Sequence, residues 1–148
     1  MTALAVTTVV VVGLMVGVET AVAVFLNPIF DRLPGDGGLA ARSDGARVLG
    51  RVMPFWYIAS LVLAVLWAAL YDGEARAGVL IAAGLLLLSA VMSVLLLVPI
   101  NSRAARWSKE GTPADWRAQL HRWDLLHYGR LVVIVGAFVL LAAAGTTS

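Results

Sequence analysis

Four long stretches of this chain, residues 3–26, 55–71, 77–100 and about 125–145, carry almost no charge. A helix needs about 20 residues, each rising about 1.5 Å, to cross roughly 30 Å of hydrocarbon. Residues 3–26 and 77–100 meet that length outright. With 61% hydrophobic residues and a mean hydropathy of +0.91, the chain has no room for a sizeable soluble domain beside these stretches. The expected fold is all-α, a single integral membrane domain over residues 1–148. Four transmembrane helices would form a bundle of antiparallel neighbours, with the fourth helix extended into the cytoplasmic side.

The first stretch is too long for a signal peptide and lacks a basic start, so it is expected to stay in the membrane. Gly13, Gly17 and Ala21 recur every fourth residue along it, a stripe that lets a neighbouring helix approach closely. Glu19 points away from that stripe, about 10 Å below Leu26 along the axis. A carboxylate at that depth must be neutral, paired with a cation or exposed to a wet cavity, and each alternative places it inside the bundle. Asn27-Pro28 is expected to end or kink the helix. Residues 39–52 mix Arg42, Arg47 and Arg51 with apolar residues, as an interfacial helix or an extension of the second span would. Asn101 is expected at the polar end of the third span, in the manner of a C-cap. Thr112-Pro-Ala-Asp115 carries N-cap signals that would start the fourth helix near Pro113.

The fourth stretch contains the sharpest anomaly. Only residues 131–144 are uninterruptedly apolar or small, too few to cross a bilayer. The span must borrow from His121-Arg-Trp-Asp-Leu-Leu-His-Tyr-Gly-Arg130, which draws His127 and Arg130 to the membrane boundary or below it. At about 100° per residue, Trp116, Leu120, Trp123, His127, Arg130 and Ile134 share an arc of roughly 80°. Arg117, His121, Asp124 and Tyr128 form an adjoining stripe. Interfacial anchoring explains Trp116, Arg117, His121 and Arg122. It explains His127 and Arg130 less well, because they share a face with residues that pack into the bundle. From its depth, Arg130 is also the expected partner of Glu19.

Ten of the eleven Lys and Arg residues fall on the first and third connections, so both basic loops are expected in the cytoplasm and both termini outside. Glu19, Asn27, Trp56, Tyr57, Asn101, Trp123, Asp124, His127 and Arg130 then gather towards one end of the bundle, where bundle cores commonly house sites. A base, acids, one fixed cation, amides and aromatic walls suit proton abstraction from a flat, apolar, acidic molecule. Other chemistries find less support. The chain has no cysteine, which excludes disulfides and thiolate chemistry. His121 and His127 lie on different helix faces and cannot chelate one ion through spacing alone, and His127 with Glu19 would give a metal only two ligands, so no metal site is expected. The basic residues flank apolar spans and form no nucleic-acid patch. No glycine-rich phosphate loop occurs in a strand-turn-helix setting.

Val98-Pro-Ile-Asn101 closing one span, followed by Arg122-Trp-Asp-x-x-His-x-x-Arg130 opening the next, resembles the anthrone oxygenase-type family of small four-span membrane proteins. Gly17-Val-Glu19 and Asn27-Pro28 resemble its first helix. The resemblance implies an oxidoreductase of the monooxygenase kind that oxidises anthrones to anthraquinones with O2, without a flavin, metal or other cofactor. Carried over by position, Asn101, Trp123, His127 and Arg130 are the family-like residues. The expected reading is a membrane oxygenase of an apolar aromatic substrate that enters from the lipid. His127 would be the base, oriented by Asp124 or Glu19, and Arg130 and Asn101 would hold the anion. Trp123, Trp56, Tyr57, Asn27 and Trp116 would contact the substrate. The rival reading is a non-catalytic bundle whose polar end binds a partner subunit or lipid headgroups.

Overall fold

The structure, a computed structural model, describes residues 2–146 apart from the side chains of Thr2, Ser108 and Lys109. The expected sidedness of Lys109 and of the chain ends at 1 and 148 therefore concerns groups outside the described residues. Four helices are long and apolar enough to cross a membrane: α1 (Ala3–Phe30), α2 (Gly37–Leu70), α3 (Arg76–Ala104) and α4 (Trp116–Gly145). A single helical turn, Trp107–Glu110, lies between α3 and α4. No strand occurs among the described residues. Each helix packs on the next, and α4 closes the ring against α1. Short connections between successive helices make neighbours antiparallel.

The shared core is assembled from Val12 and Met15 on α1, Trp67 on α2, Val79 and Leu86 on α3, and Ile134 and Leu141 on α4. Outside, Leu14, Phe55, Leu95 and Val132 are exposed, a surface suited to hydrocarbon and not to water. The small-residue stripe of α1 serves close packing at one point. A Cβ on Gly13 would lie 2.9 Å from the ring of Phe138, whereas one on Gly17 would meet nothing within 4 Å.

Residues 39–52 take the second of their two expected forms, an extension of the second span, while three expectations about helix ends are corrected. Residues 39–52 are the first half of α2, which runs unbroken through Pro54. Neither Asn27-Pro28 nor Pro99 ends its helix, and Asn101 is an interior residue of the last helical segment, Val98–Ala104, and not its C-cap. Proline has no N–H and crowds the carbonyl four residues back, which normally breaks a helix. Here each proline follows a π-helical turn, Val22–Leu26 in α1 and Ser93–Leu97 in α3. The wider turn sends the Asn27 N–H to Val22 O and the Val98 N–H to Ser93 O, each five residues back. In α1 this leaves Ala23 O without its usual partner, and Tyr128 Oη donates to it at 2.9 Å. Finally, α4 starts at Trp116, not near Pro113. The Trp116 N–H closes a turn onto Pro113 O, and the Asp115 carboxylate accepts from Gln119 Nε2 at 3.0 Å instead of capping the backbone.

Candidate functional site

The α4 face expected from periodicity is the face that packs inward. Leu120, His127, Arg130 and Ile134 are buried, Trp116 and Trp123 half-buried, while Arg117, His121 and Tyr128 on the adjoining stripe are exposed. This brings Arg130 opposite Glu19 of α1. Arg130 Nη2 donates to Glu19 Oε2 at 2.6 Å, and both side chains are more than nine-tenths buried. The pairing expected from their depths is therefore present. A buried ion pair is tolerable only when its remaining donors and acceptors are also met, and the other helices supply them. Tyr57 Oη on α2 donates to Glu19 Oε1 at 3.0 Å, and its ring lies 5.2 Å from the guanidinium carbon. Arg130 Nη1 donates to Ser93 Oγ on α3 at 2.8 Å. All four helices thus contribute to one buried polar cluster.

His127 completes the cluster from behind. Its Nδ1 lies 2.9 Å from Arg130 Nη2, and its Nε2 lies 3.1 Å from the main-chain oxygen of Glu19. A guanidinium can only donate, so Nδ1 is the acceptor and Nε2–H donates to the carbonyl. That assigns the neutral imidazole with its proton on Nε2. Trp123 stacks on the imidazole, centroids 4.6 Å apart and planes inclined by 13°.

A second ionic cluster closes the polar end. Arg42 on α2 reaches Asp31 and Asp124, each at 2.8 Å, and Asn27 Nδ2 donates to Asp124 Oδ1 at 2.9 Å. It ties the end of α1, the extension of α2 and the start of α4. Asn101 crosses from α3, donating through Nδ2 to Ala46 O at 3.1 Å.

Between these clusters lies a cavity of about 410 Å³, within the usual range for small-molecule sites. Its polar groups come from Glu19, Asn27, Arg42, Tyr57, Ser93, Asn101, Trp123 and Arg130, and the rest of its wall is aliphatic apart from Phe30 and Met53. The lining extends to Ile58 on α2 and Val94 on α3, which are 61% and 65% exposed on the outer surface. Of the residues singled out from sequence, Glu19, Asn27, Tyr57, Asn101, Trp123 and Arg130 line this space, and His127, Asp124, Trp56 and Trp116 do not. Trp56 donates to Val11 O at 3.0 Å, and Trp116 packs against the cluster around Trp107 and Leu120.

Sequence reasoning missed Arg42 and Ser93. Arg42 stands at three- and four-residue steps, through Ala46, Leu49 and Met53, from Tyr57, so the inward stripe of α2 was there to be followed. Ser93 gave a weaker sign, one hydroxyl four residues after Ser89 in a leucine-rich run. No three His, Cys, Asp or Glu side chains among the described residues come together as metal ligands.

A protein-family model described as anthrone oxygenase matches residues 46–140, from the cavity wall of α2 to the last turns of α4. No curated protein and no solved structure matches the chain.

Proposed function

The chain belongs to the anthrone oxygenase family, and from that premise we propose that it is a membrane oxygenase acting on a flat, apolar aromatic substrate with an acidic C–H bond. The observation that carries this reading is a carboxylate on the wall of a mostly aliphatic cavity, paired at 2.6 Å with a guanidinium on the same wall. In the proposed reaction Glu19 takes the proton from the substrate's benzylic carbon. The negative charge then passes from Glu19 to the substrate, where it spreads onto the conjugated carbonyl oxygen. Arg130 faces an anion before and after the transfer, so its charge stays compensated in a site of low dielectric. Asn101 spends one N–H on Ala46 O and keeps the other for that oxygen.

The substrate anion supplies the electrons that reduce O2. One oxygen atom ends in the new carbonyl and the other leaves as water with the two hydrogens of the original methylene, so the reaction balances without a flavin or metal. His127 is assigned a positioning role here and not the role of base. Both of its ring nitrogens are engaged by Arg130 and the Glu19 carbonyl, and it stands outside the cavity lining. The aliphatic stretch between Ile58 and Val94 suits a substrate arriving from the lipid.

The test is turnover by detergent-purified protein given anthrone. Equimolar O2 uptake and quinone formation, lost in Glu19→Gln, are expected. A rate no greater than that of anthrone in detergent alone would end the oxygenase reading.

A further inference from the structure

The cavity wall carries two hydroxyl groups, Tyr57 on α2 and Ser93 on α3, and they are committed differently. Ser93 Oγ accepts from Arg130 Nη1 and gives its own hydrogen to the main-chain oxygen of Ser89, each at 2.8 Å. Tyr57 gives its hydrogen to Glu19 Oε1 at 3.0 Å. The two carboxylate oxygens are unequal as well. Oε2 lies 2.6 Å from Arg130 Nη2 and 3.3 Å from His127 Nδ1, whereas the side chain at Oε1 is Tyr57. A carboxylate oxygen has two lone pairs, so Oε1 keeps one for a substrate proton. Once that proton is on Oε1, its hydrogen bond with Tyr57 Oη can reverse. A phenol both donates and accepts, so it can take a hydrogen from Glu19 while its own turns elsewhere. The N–H groups of the wall, on arginine, asparagine and tryptophan, donate hydrogen bonds but keep their protons.

We infer that Tyr57 is a catalytic proton relay, which carries the hydrogen taken up by Glu19 to the reduced oxygen. This inference rests on the proposed function and adds the protonation step to it. When O2 reacts with the substrate anion, the electron pair left by the first C–H bond forms a C–O bond and a peroxide anion results. The Tyr57 O–H bond then breaks and its hydrogen joins the terminal peroxide oxygen. Tyr57 Oη takes the hydrogen held on Glu19 Oε1, which restores phenol and carboxylate together. Glu19 next removes the second methylene hydrogen. That C–H electron pair closes the carbonyl, the O–O bond breaks, and the departing hydroxide takes the proton from Glu19 to become water. Without the relay, the peroxide anion would stand in a poorly solvating cavity with no proton to accept, an unfavourable state. Tyr57 was expected to contact the substrate through its ring. Its hydroxyl is the part that the hydrogen bonds single out.

The test separates the two halves of the reaction, with anthrone as the probe. Deprotonation by Glu19 is read without O2, as deuterium uptake from D2O at the methylene carbon above the rate in detergent alone. Oxidation is read in air, as quinone formed and O2 consumed. Tyr57→Phe keeps the ring beside Arg130 and removes the hydroxyl. It should hold deuterium uptake within about threefold of wild type while quinone formation falls about 10²–10⁴-fold, the usual worth of a general acid. Peroxide should then be released, and O2 consumption should exceed quinone formation. Tyr57→His, which can again accept and donate, should recover part of the quinone rate. Parallel losses of uptake and oxidation in Tyr57→Phe would mean that Tyr57 only steadies the Glu19–Arg130 pair, and would overturn the relay. An unchanged quinone rate would do the same. One measurement needs no variant to fold. Wild-type protein given anthrone already deuterated at its methylene should form quinone more slowly in D2O than in H2O, and equal rates would overturn the relay. Wild-type protein that takes up deuterium but forms no quinone in air would end the oxygenase reading itself, and the relay with it.

Discussion

Glu19 Oε2 and Arg130 Nη2, 111 positions apart in the chain, lie 2.6 Å from one another inside the bundle. Neither charge would be acceptable there alone. Glu19 is 4% exposed and Arg130 7%, and an isolated ion at such a depth costs several kcal/mol even after relaxation. The pair binds the first helix to the last, and it also sets charge on the cavity wall.

Removing one partner should therefore cost more stability than removing both. Glu19→Leu is expected to destabilise the protein by about 3–5 kcal/mol, because it leaves Arg130 buried without its counter-ion. Glu19→Leu combined with Arg130→Leu should recover much of that stability and none of the activity. Glu19→Gln should be milder, since an amide oxygen still accepts from the guanidinium. A thermal-melt double-mutant cycle in detergent measures the coupling, and a value below about 0.5 kcal/mol would mean that the two side chains are not partners.

Activity should rank the candidate bases. Glu19→Gln is expected to lower turnover by about 10²–10⁴ while anthrone still binds. His127→Ala should cost less in turnover and more in melting temperature, because it removes the support behind Arg130 and the bond to the Glu19 carbonyl. His121→Ala, exposed on the neighbouring stripe, should do neither. A catalytic loss in His127→Ala greater than in Glu19→Gln would return the base role to His127.

The inward face of α4 was legible because three features agreed: a span too short in apolar residues, a helical period, and two ionisable residues on the packing side. Glu19 was legible for the same reason, as a lone charge in a long apolar run. His127 illustrates what periodicity leaves open. It fixes the face of a helix but not which side chain on that face meets open space, and Arg130 and Trp123 reach the cavity while His127 between them does not. Arg42 was hidden by the habit of reading arginines near a bilayer as headgroup contacts. The π-helical turns were hidden because proline normally stops a helix, and nothing local in Val22–Leu26 or Ser93–Leu97 signals the wider turn that accommodates it.

The proposed oxygenase activity should survive metal chelators. Active protein should show no visible absorbance from a bound group. A stoichiometric metal, haem or flavin that tracks activity through purification would replace the cofactor-free route with another, while leaving the oxidoreductase class in place.

The orientation proposed from the ten-to-one distribution of basic residues can be read with single cysteines, since the chain has none of its own. Glu74→Cys, exposed in the connection between α2 and α3, should react with an impermeant thiol reagent on intact cells. Asp36→Cys, exposed between α1 and α2, should react only after the membrane is opened. The opposite pattern would invert the bundle.

The π-helical turns before Pro28 and Pro99 also act as phase shifters. Glu19 and Asn27 are eight residues apart, as are Ser93 and Asn101, and all four line the cavity. In an uninterrupted α-helix, eight steps of about 100° would leave each pair some 80° out of phase. A π-helical turn amounts to one inserted residue, so the remaining seven steps return each pair to within about 20°. Two helices thus aim two widely spaced polar groups into one space by the same device. Were Val22–Leu26 wound as ordinary α-helix with every residue kept, Asn27 and Pro28 would swing about 80° out of register with Glu19. The alignment of the cavity wall depends on how that turn is wound, and not on the identity of the residues in it.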